Sequence, residues 1–172
     1  PLRVEAPIEH HELHAGQERK ASETPYIAHL LAVTAIVLEH GGSEDEAIAA
    51  LLHDAVEDQG GAATRADISR RFGESVAVIV DGCTDTDVEP KPPWRERKEA
   101  FLRSLATASP EVRLVVAADK LHNARSVMAD YRRLGEAVWD RFRGGRAGTL
   151  WYYRAVTEAL RDAGPSPLVD EL

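Results

Sequence analysis

His53-Asp54-Ala55-Val56-Glu57-Asp58 places four side chains able to bind a metal or move a proton within six residues, directly behind the apolar run Ile48-Ala49-Ala50-Leu51-Leu52. If the segment is helical, His53 and Glu57 stand at i, i+4, as do Asp54 and Asp58, so all four project from about one turn of surface. A solvated helix face does not have this make-up, and the turn is the first candidate for an active site. The negative end of a helix dipole disfavours a cluster of carboxylates and favours a cation beside them, which a metal ion would supply.

Working upstream, Ser43 followed by Glu46 is a capping-box pattern that opens the helix carrying this motif, and Gly41-Gly42 closes the helix before it. That earlier helix is predicted to run to about His40, with Thr24 as cap and Pro25 in the first helical position. Ile27, Leu30, Leu31, Val33, Ile36, Val37 and Leu38 are apolar around most of its circumference, the pattern of a central, buried helix. His29 lies inside it; a hydrogen-bonded core histidine is the usual outcome for such a residue, and metal ligation is the alternative. His10, His11 and His14 have spacings that could bind metal but sit among charged residues and read as exposed, while residues 1–8 read as an extended lead-in.

Downstream, a capped segment from Thr64 to Phe72 and an apolar helical run from Val76 to Val80 are followed by a proline-containing loop over residues 84–94. A helix from about Trp94 to Ala106 carries Arg95, Arg97, Lys98 and Arg103, a solvated face of which one or two residues could meet a phosphate. Ser109-Pro110 repeats the cap-then-proline signal and opens a long helix towards Met128. Asp119 follows five apolar residues in that helix. A buried aspartate without a partner is strongly disfavoured, so it is expected either to pair with Lys120 or Arg125 or to hold a metal. Residues 144–148, Gly-Gly-Arg-Ala-Gly, read as a flexible link between a helix at Leu134 to Arg143 and a last helix at Leu150 to Arg161. The latter begins Trp151-Tyr152-Tyr153, an aromatic stripe of the kind that fills cores. Residues 164–172 read as a loose tail. With no strand-like alternation and no internal repeat, the expectation is an all-α, single-domain helical bundle over residues 1–172.

A chain of 172 residues can bury roughly 70% of its unfolded surface in one domain. Its formal charge of −8 argues against a nucleic-acid polymer or an anionic membrane as partner, though a few local Arg and Lys residues suffice for a small anion. The one cysteine, Cys83, excludes an internal disulfide and a cysteine-rich zinc site, and a packing role is expected of it. There is no signal-peptide core in the first thirty residues and no apolar run long enough to span a bilayer, so a cytoplasmic location is expected.

Three helices thus each deliver metal-capable residues out of apolar surroundings: His29 from the first, His53 and Asp54 from the second, and Asp119 from the long one. Two imidazoles and two carboxylates are mixed N/O donors suited to a divalent ion such as Mn, Fe or Zn, or alternatively Mg, with positions left for water.

The order H…HD…D resembles the HD-domain metal-dependent phosphohydrolases. The blocks His14-Ala15-Gly16-Gln17-Glu18-Arg19-Lys20, Pro25-Tyr26-Ile27-Ala28-His29, Leu51-Leu52-His53-Asp54-Ala55-Val56-Glu57-Asp58 and Ala118-Asp119-Lys120-Leu121-His122-Asn123 are similar to the hydrolase domain of RelA/SpoT-type alarmone enzymes, over about residues 14–160. The resemblance implies an all-helical domain that removes the 3′-pyrophosphate from a (p)ppGpp-like nucleotide, usually with Mn2+, here as a small stand-alone hydrolase. It implies His29, His53, Asp54 and Asp119 as metal ligands and Glu57 and Asp58 as the acidic pair that positions or deprotonates the attacking water. Arg19 and Lys20 match basic residues beside the nucleotide, and Tyr26, Asn123 and Tyr152 match nucleotide contacts. The rivals are hydrolysis of another phosphorylated nucleotide, such as a nicotinamide dinucleotide phosphate or a nucleoside phosphate, and a nucleotide-binding sensor with weak chemistry. Glu57 and Asp58 argue against the sensor, which has no need of a water-activating pair.

Overall fold

The computed structural model describes residues 24–58, 61–86 and 90–172; of Asp58 the backbone alone is described. The readings made for residues 1–23, Arg19 and Lys20 among them, lie outside that set. Nine α-helices and one 3₁₀ segment are found among the described residues, with no run of strand. They are α1 (Ile27–Glu39), α2 (Glu44–Leu52), α3 (Ala55–Asp58), α4 (Ala62–Phe72), α5 (Glu74–Cys83), α6 (Trp94–Leu105), α7 (Pro110–Leu134), the 3₁₀ turn Gly135–Arg141, α8 (Gly145–Ala163) and α9 (Pro167–Glu171).

The turn between α1 and α2 is written in its residues. Gly41 takes φ +82, a conformation open to glycine at little cost, and the amides of Gly41 and Gly42 return to the carbonyls of Leu38 and Val37 at 3.1 and 2.9 Å. Ser43 then forms the expected capping box, its amide donating to Glu46 at 2.7 Å and its hydroxyl accepting from the Glu46 amide at 3.3 Å. This reversal lays α2 along α1. Leu30, Val33 and Val37 of α1 meet Ile48 and Leu51 of α2, Val76 and Val80 of α5, and Val115 and Ala118 of α7 in one continuous buried core.

Several boundaries differ from the sequence expectation. α1 begins at Ile27; a tight turn precedes it, in which Ala28 and His29 amides donate to the Pro25 and Tyr26 carbonyls, so Thr24 is not its cap. α4 starts at Ala62, two residues before Thr64, because Gly61 at φ +56 turns the chain into it. α7 extends to Leu134, where Gly135 at φ +60 ends it, and the helix expected over residues 134–143 is a 3₁₀ turn.

Two expectations are corrected outright. The tail is not loose: Ser166 caps α9 by accepting from the Val169 amide at 3.3 Å, Pro167 occupies the first turn, and Leu168 and Val169 are buried against α7 and α8. This is the signal that opens α7 at Ser109-Pro110, working a second time. Nor are the glycines at 144 and 148 a flexible link. A Cβ at Gly144 would come within 2.8 Å of the Trp94 ring and one at Gly148 within 3.2 Å, so the missing side chains make a seat for the indole that starts α6.

Candidate active site

The His53-Asp54 pair stands at a break in the helix. α2 ends at Leu52, residues 53 and 54 form a turn, and α3 resumes at Ala55, while His53 itself keeps right-handed helical angles. His53 Nδ1 lies 2.8 Å from the Ala50 carbonyl, the group a continuing α-helix would offer to the Asp54 amide. A carbonyl only accepts, so Nδ1 carries the hydrogen and Nε2 points to the other side of the ring.

That side is crowded with carboxylate oxygen. Asp54 Oδ2 is 3.1 Å from His53 Nε2 and Asp119 Oδ1 is 3.7 Å away, while His29 Nε2 from α1 reaches the same Asp119 oxygen at 3.2 Å. Ligand atoms of His29, His53 and Asp119 all lie within 4.8 Å of one another, and all three residues are buried. Asp54 joins through His53, and its side chain is 27% exposed. The Tyr26 hydroxyl donates to Asp54 Oδ2, and the Asn123 amide donates to Asp119 Oδ1. Asp119 Oδ2 pairs with Lys120 Nζ at 2.6 Å, whereas Arg125 turns away to Glu171.

The electrostatics ask for a cation at this point. Burial works against charge on His53, yet Asp54 and Asp119 outweigh it and hold the imidazole pKa well above its usual 6.5. Burial likewise opposes the Asp119 charge, and Lys120 with the two histidines reverses the balance, holding that carboxyl well below its ordinary value. Asp54 is lowered for the same reason, by His53 against burial. His53 Nε2 is buried between these two carboxylates, 3.1 Å from Asp54 Oδ2 and 3.7 Å from Asp119 Oδ1. A buried lone pair aimed between carboxylates is unfavourable unless a proton or a metal ion sits there. Donor atoms about 2.1 Å from one ion are separated by about 3.0–3.4 Å at octahedral to tetrahedral angles, close to the spacings found. The residues fit a divalent cation.

Glu57 is not a solvated helix end. Lys91, from the loop ahead of α6, reaches its Oε1 at 3.0 Å, and Arg97 Nη1 lies at 4.0 Å. Arg97 is buried and donates to Asp85, which also accepts from Lys98 at 2.9 Å. Lys98 Nζ sits 4.9 Å over the ring of Tyr152, and Lys120 Nζ 5.9 Å from it. The expectation of a solvated basic face on α6 is therefore corrected for Arg97 and Lys98. Arg97 shares the inner face of α6 with Trp94, Phe101 and Leu105, a position at i, i+3/4, i+7 spacing where a charge signals a buried partner. Tyr152 belongs to both readings: it is buried beside Trp94 and Trp151, and its ring also lies under the Lys98 and Lys120 ammonium groups.

One contact had no sequence signal beyond an apt spacing from Asp119. His122, one turn along α7, places Nδ1 2.8 Å from His29 Nδ1, with ring centroids 4.9 Å apart. Cys83 is packed among core residues, and burial raises its thiol far above the range of a nucleophile, in keeping with the packing role expected.

The profile of the HD domain matches residues 8–150. The chain is 42% identical over 119 residues to guanosine-3′,5′-bis(diphosphate) 3′-pyrophosphohydrolase MESH1 of Xenopus tropicalis, a match covering 67% of this chain and 64% of that one. It is 37% identical over 129 residues to the bifunctional (p)ppGpp synthase/hydrolase SpoT of Escherichia coli, covering 70% of this chain and 18% of SpoT. It thus spans less than two thirds of the length of either relative. Among solved structures, a metazoan ortholog of SpoT described as hydrolysing ppGpp superposes with a TM-score of 0.82 at 28% identity, over 98% of this chain and 90% of the other. A Listeria monocytogenes crystal structure gives 0.71 at 33% identity, over 84% and 88%. A profile matched across most of the sequence, and a helical frame that gathers His29, His53 and Asp119, establish that the chain belongs to the HD-domain family.

Proposed function

We propose that the chain is a divalent-metal-dependent phosphohydrolase that removes the 3′-pyrophosphate of a (p)ppGpp-like nucleotide. The observation that carries this reading is the convergence of His29, His53 and Asp119, with Asp54 beside His53 and the ion-paired Lys91, Arg97 and Lys98 nearby around Glu57 and Asp85. The substrate follows from the named activities of the frog relative and of the metazoan SpoT ortholog.

In this reading His29, His53, Asp54 and Asp119 hold the ion, with Mn2+ the expected occupant. Such an ion, when bound, polarises a phosphate ester and acidifies water. The rest falls to the protein. Glu57, tethered by Lys91, accepts the proton of the water that attacks phosphorus, and Asp58 shares this task. Lys98 and Lys120 neutralise the phosphate oxygens, whose negative charge would otherwise repel the nucleophile. Tyr26 and Asn123 orient Asp54 and Asp119 and border the nucleotide, Tyr152 supplies an aromatic wall, and Arg19 and Lys20 contact the nucleotide phosphates. The single domain and the small-nucleotide partner belong to the same proposal.

Incubating the Mn-loaded protein with ppGpp and resolving products by ion chromatography tests it. GDP and pyrophosphate in equal amounts are expected. Orthophosphate as the released product, or tight nucleotide binding with no turnover across a panel of phosphate esters, would refute the assignment.

A further inference from the structure

We propose that His122 is a positioning residue for the metal site: its Nδ1 accepts a hydrogen bond from His29 Nδ1–H and so leaves the His29 Nε2 lone pair free for the ion. This rests on the metal-site reading above. Two facing Nδ1 atoms at 2.8 Å must share one hydrogen between them, because two lone pairs or two hydrogens at that distance repel. His29 Nε2 points at Asp119 Oδ1, 3.2 Å away, on the side where the ion would lie. A neutral imidazole that ligates through Nε2 must carry its hydrogen on Nδ1, and the group opposite must then accept it.

The two histidines of the site are held differently. His53 hydrogen-bonds a backbone carbonyl, which can only accept and fixes one tautomer permanently. His29 faces an imidazole, which can accept or donate. Without an ion the pair can run the other way, His122 donating to His29 Nδ1 while His29 Nε2–H bonds Asp119. Loading then interchanges both tautomers. His29 moves its hydrogen from Nε2 to Nδ1 and His122 from Nδ1 to Nε2, an exchange that by itself takes up and releases no net proton. His122 is only half-buried, so solvent can mediate the exchange.

His122→Phe keeps a ring of similar size and removes the acceptor; His122→Gln restores one. The phenylalanine variant should bind Mn2+ about 10–100-fold more weakly, read by equilibrium titration against a chelator, with the melting temperature of the metal-free protein unchanged. His122→Gln should recover most of the affinity. Long-range 1H–15N spectra of the Cd2+-loaded wild type should show the hydrogen of His29 on Nδ1 and that of His122 on Nε2. Mn2+ affinity in His122→Phe equal to that of the wild type, or a loaded His29 with a bare Nδ1, would overturn the proposal while leaving the metal site standing. A wild type that binds no divalent ion overturns both. If His122→Phe does not fold, the wild-type spectrum alone decides.

Discussion

Divalent-ion binding should displace a proton from His53, and this makes affinity depend on pH with a slope that can be worked out from the site. Nδ1 of His53 donates to the Ala50 carbonyl, so the only position for a second proton is Nε2, where the ion would sit. In the metal-free protein Asp54 and Asp119 hold the His53 pKa well above 6.5, against the effect of burial. The proton on Nε2 is therefore held to higher pH than an ordinary imidazole would hold it. It contributes stability that is fully present below the unfolded value of 6.5 and is lost as pH rises through the raised folded pKa. Since ion and proton compete for one lone pair, affinity should rise about tenfold, or about 1.4 kcal/mol, per pH unit up to that folded pKa, and level off above it. Calorimetric Mn2+ titrations at pH 7 in two buffers of different ionisation enthalpy count the protons directly, and about one per ion is expected. The His29–His122 pair should add none, because its tautomers interchange without net release. Release of no protons at pH 7, with affinity flat between pH 6 and 8, would refute the placement of the cation at His53 Nε2.

Glu57→Gln should retain metal while losing about 10²- to 10⁴-fold in kcat, whereas Asp54→Ala should lose both; metal analysis of the purified variants separates the cases, and equal metal loss would end the division of labour. Ser166→Ala should cost about 1 kcal/mol in urea unfolding by removing the α9 cap, where a loose tail would show no change. Leu105→Ala, at a fully buried position of α6, should cost about 2–5 kcal/mol in the same assay.

Much of the frame was legible because it rests on local chemistry. Ser43 and Glu46, Gly41-Gly42 and Ser109-Pro110 act within a few residues of themselves, and each does in the structure what its side chain permits. The candidate metal residues carried a different signal: His29 and Asp119 are polar groups inside apolar helices and His53 directly follows one, and such groups must find partners. Their meeting point could not be read from spacing alone, since α1, α2 and α7 converge only after folding. The misses follow the same logic. Arg97 and Lys98 looked solvated because α6 is rich in charge, yet burial of that helix is decided by Trp94, Phe101 and Leu105. His122 is tied to a residue 93 positions away, and nothing near it in sequence announces the contact. At Ser166 the cap-then-proline signal was present and was masked by the terminal position.

The indole seat at Gly144 and Gly148 has a further consequence. Arg97 and Lys98 ride on α6, while the candidate metal residues sit on α1, on α7 and in the turn after α2, so the two groups share no continuous stretch of backbone. α6 leans on α8, and Trp94 rests where glycine lets it come closest. Side-chain size at 144 and 148 therefore bears on where Trp94, and with it the start of α6, can rest: a methyl group would come within 2.8 Å of the indole at 144 and 3.2 Å at 148, so the indole or the backbone of α8 must give.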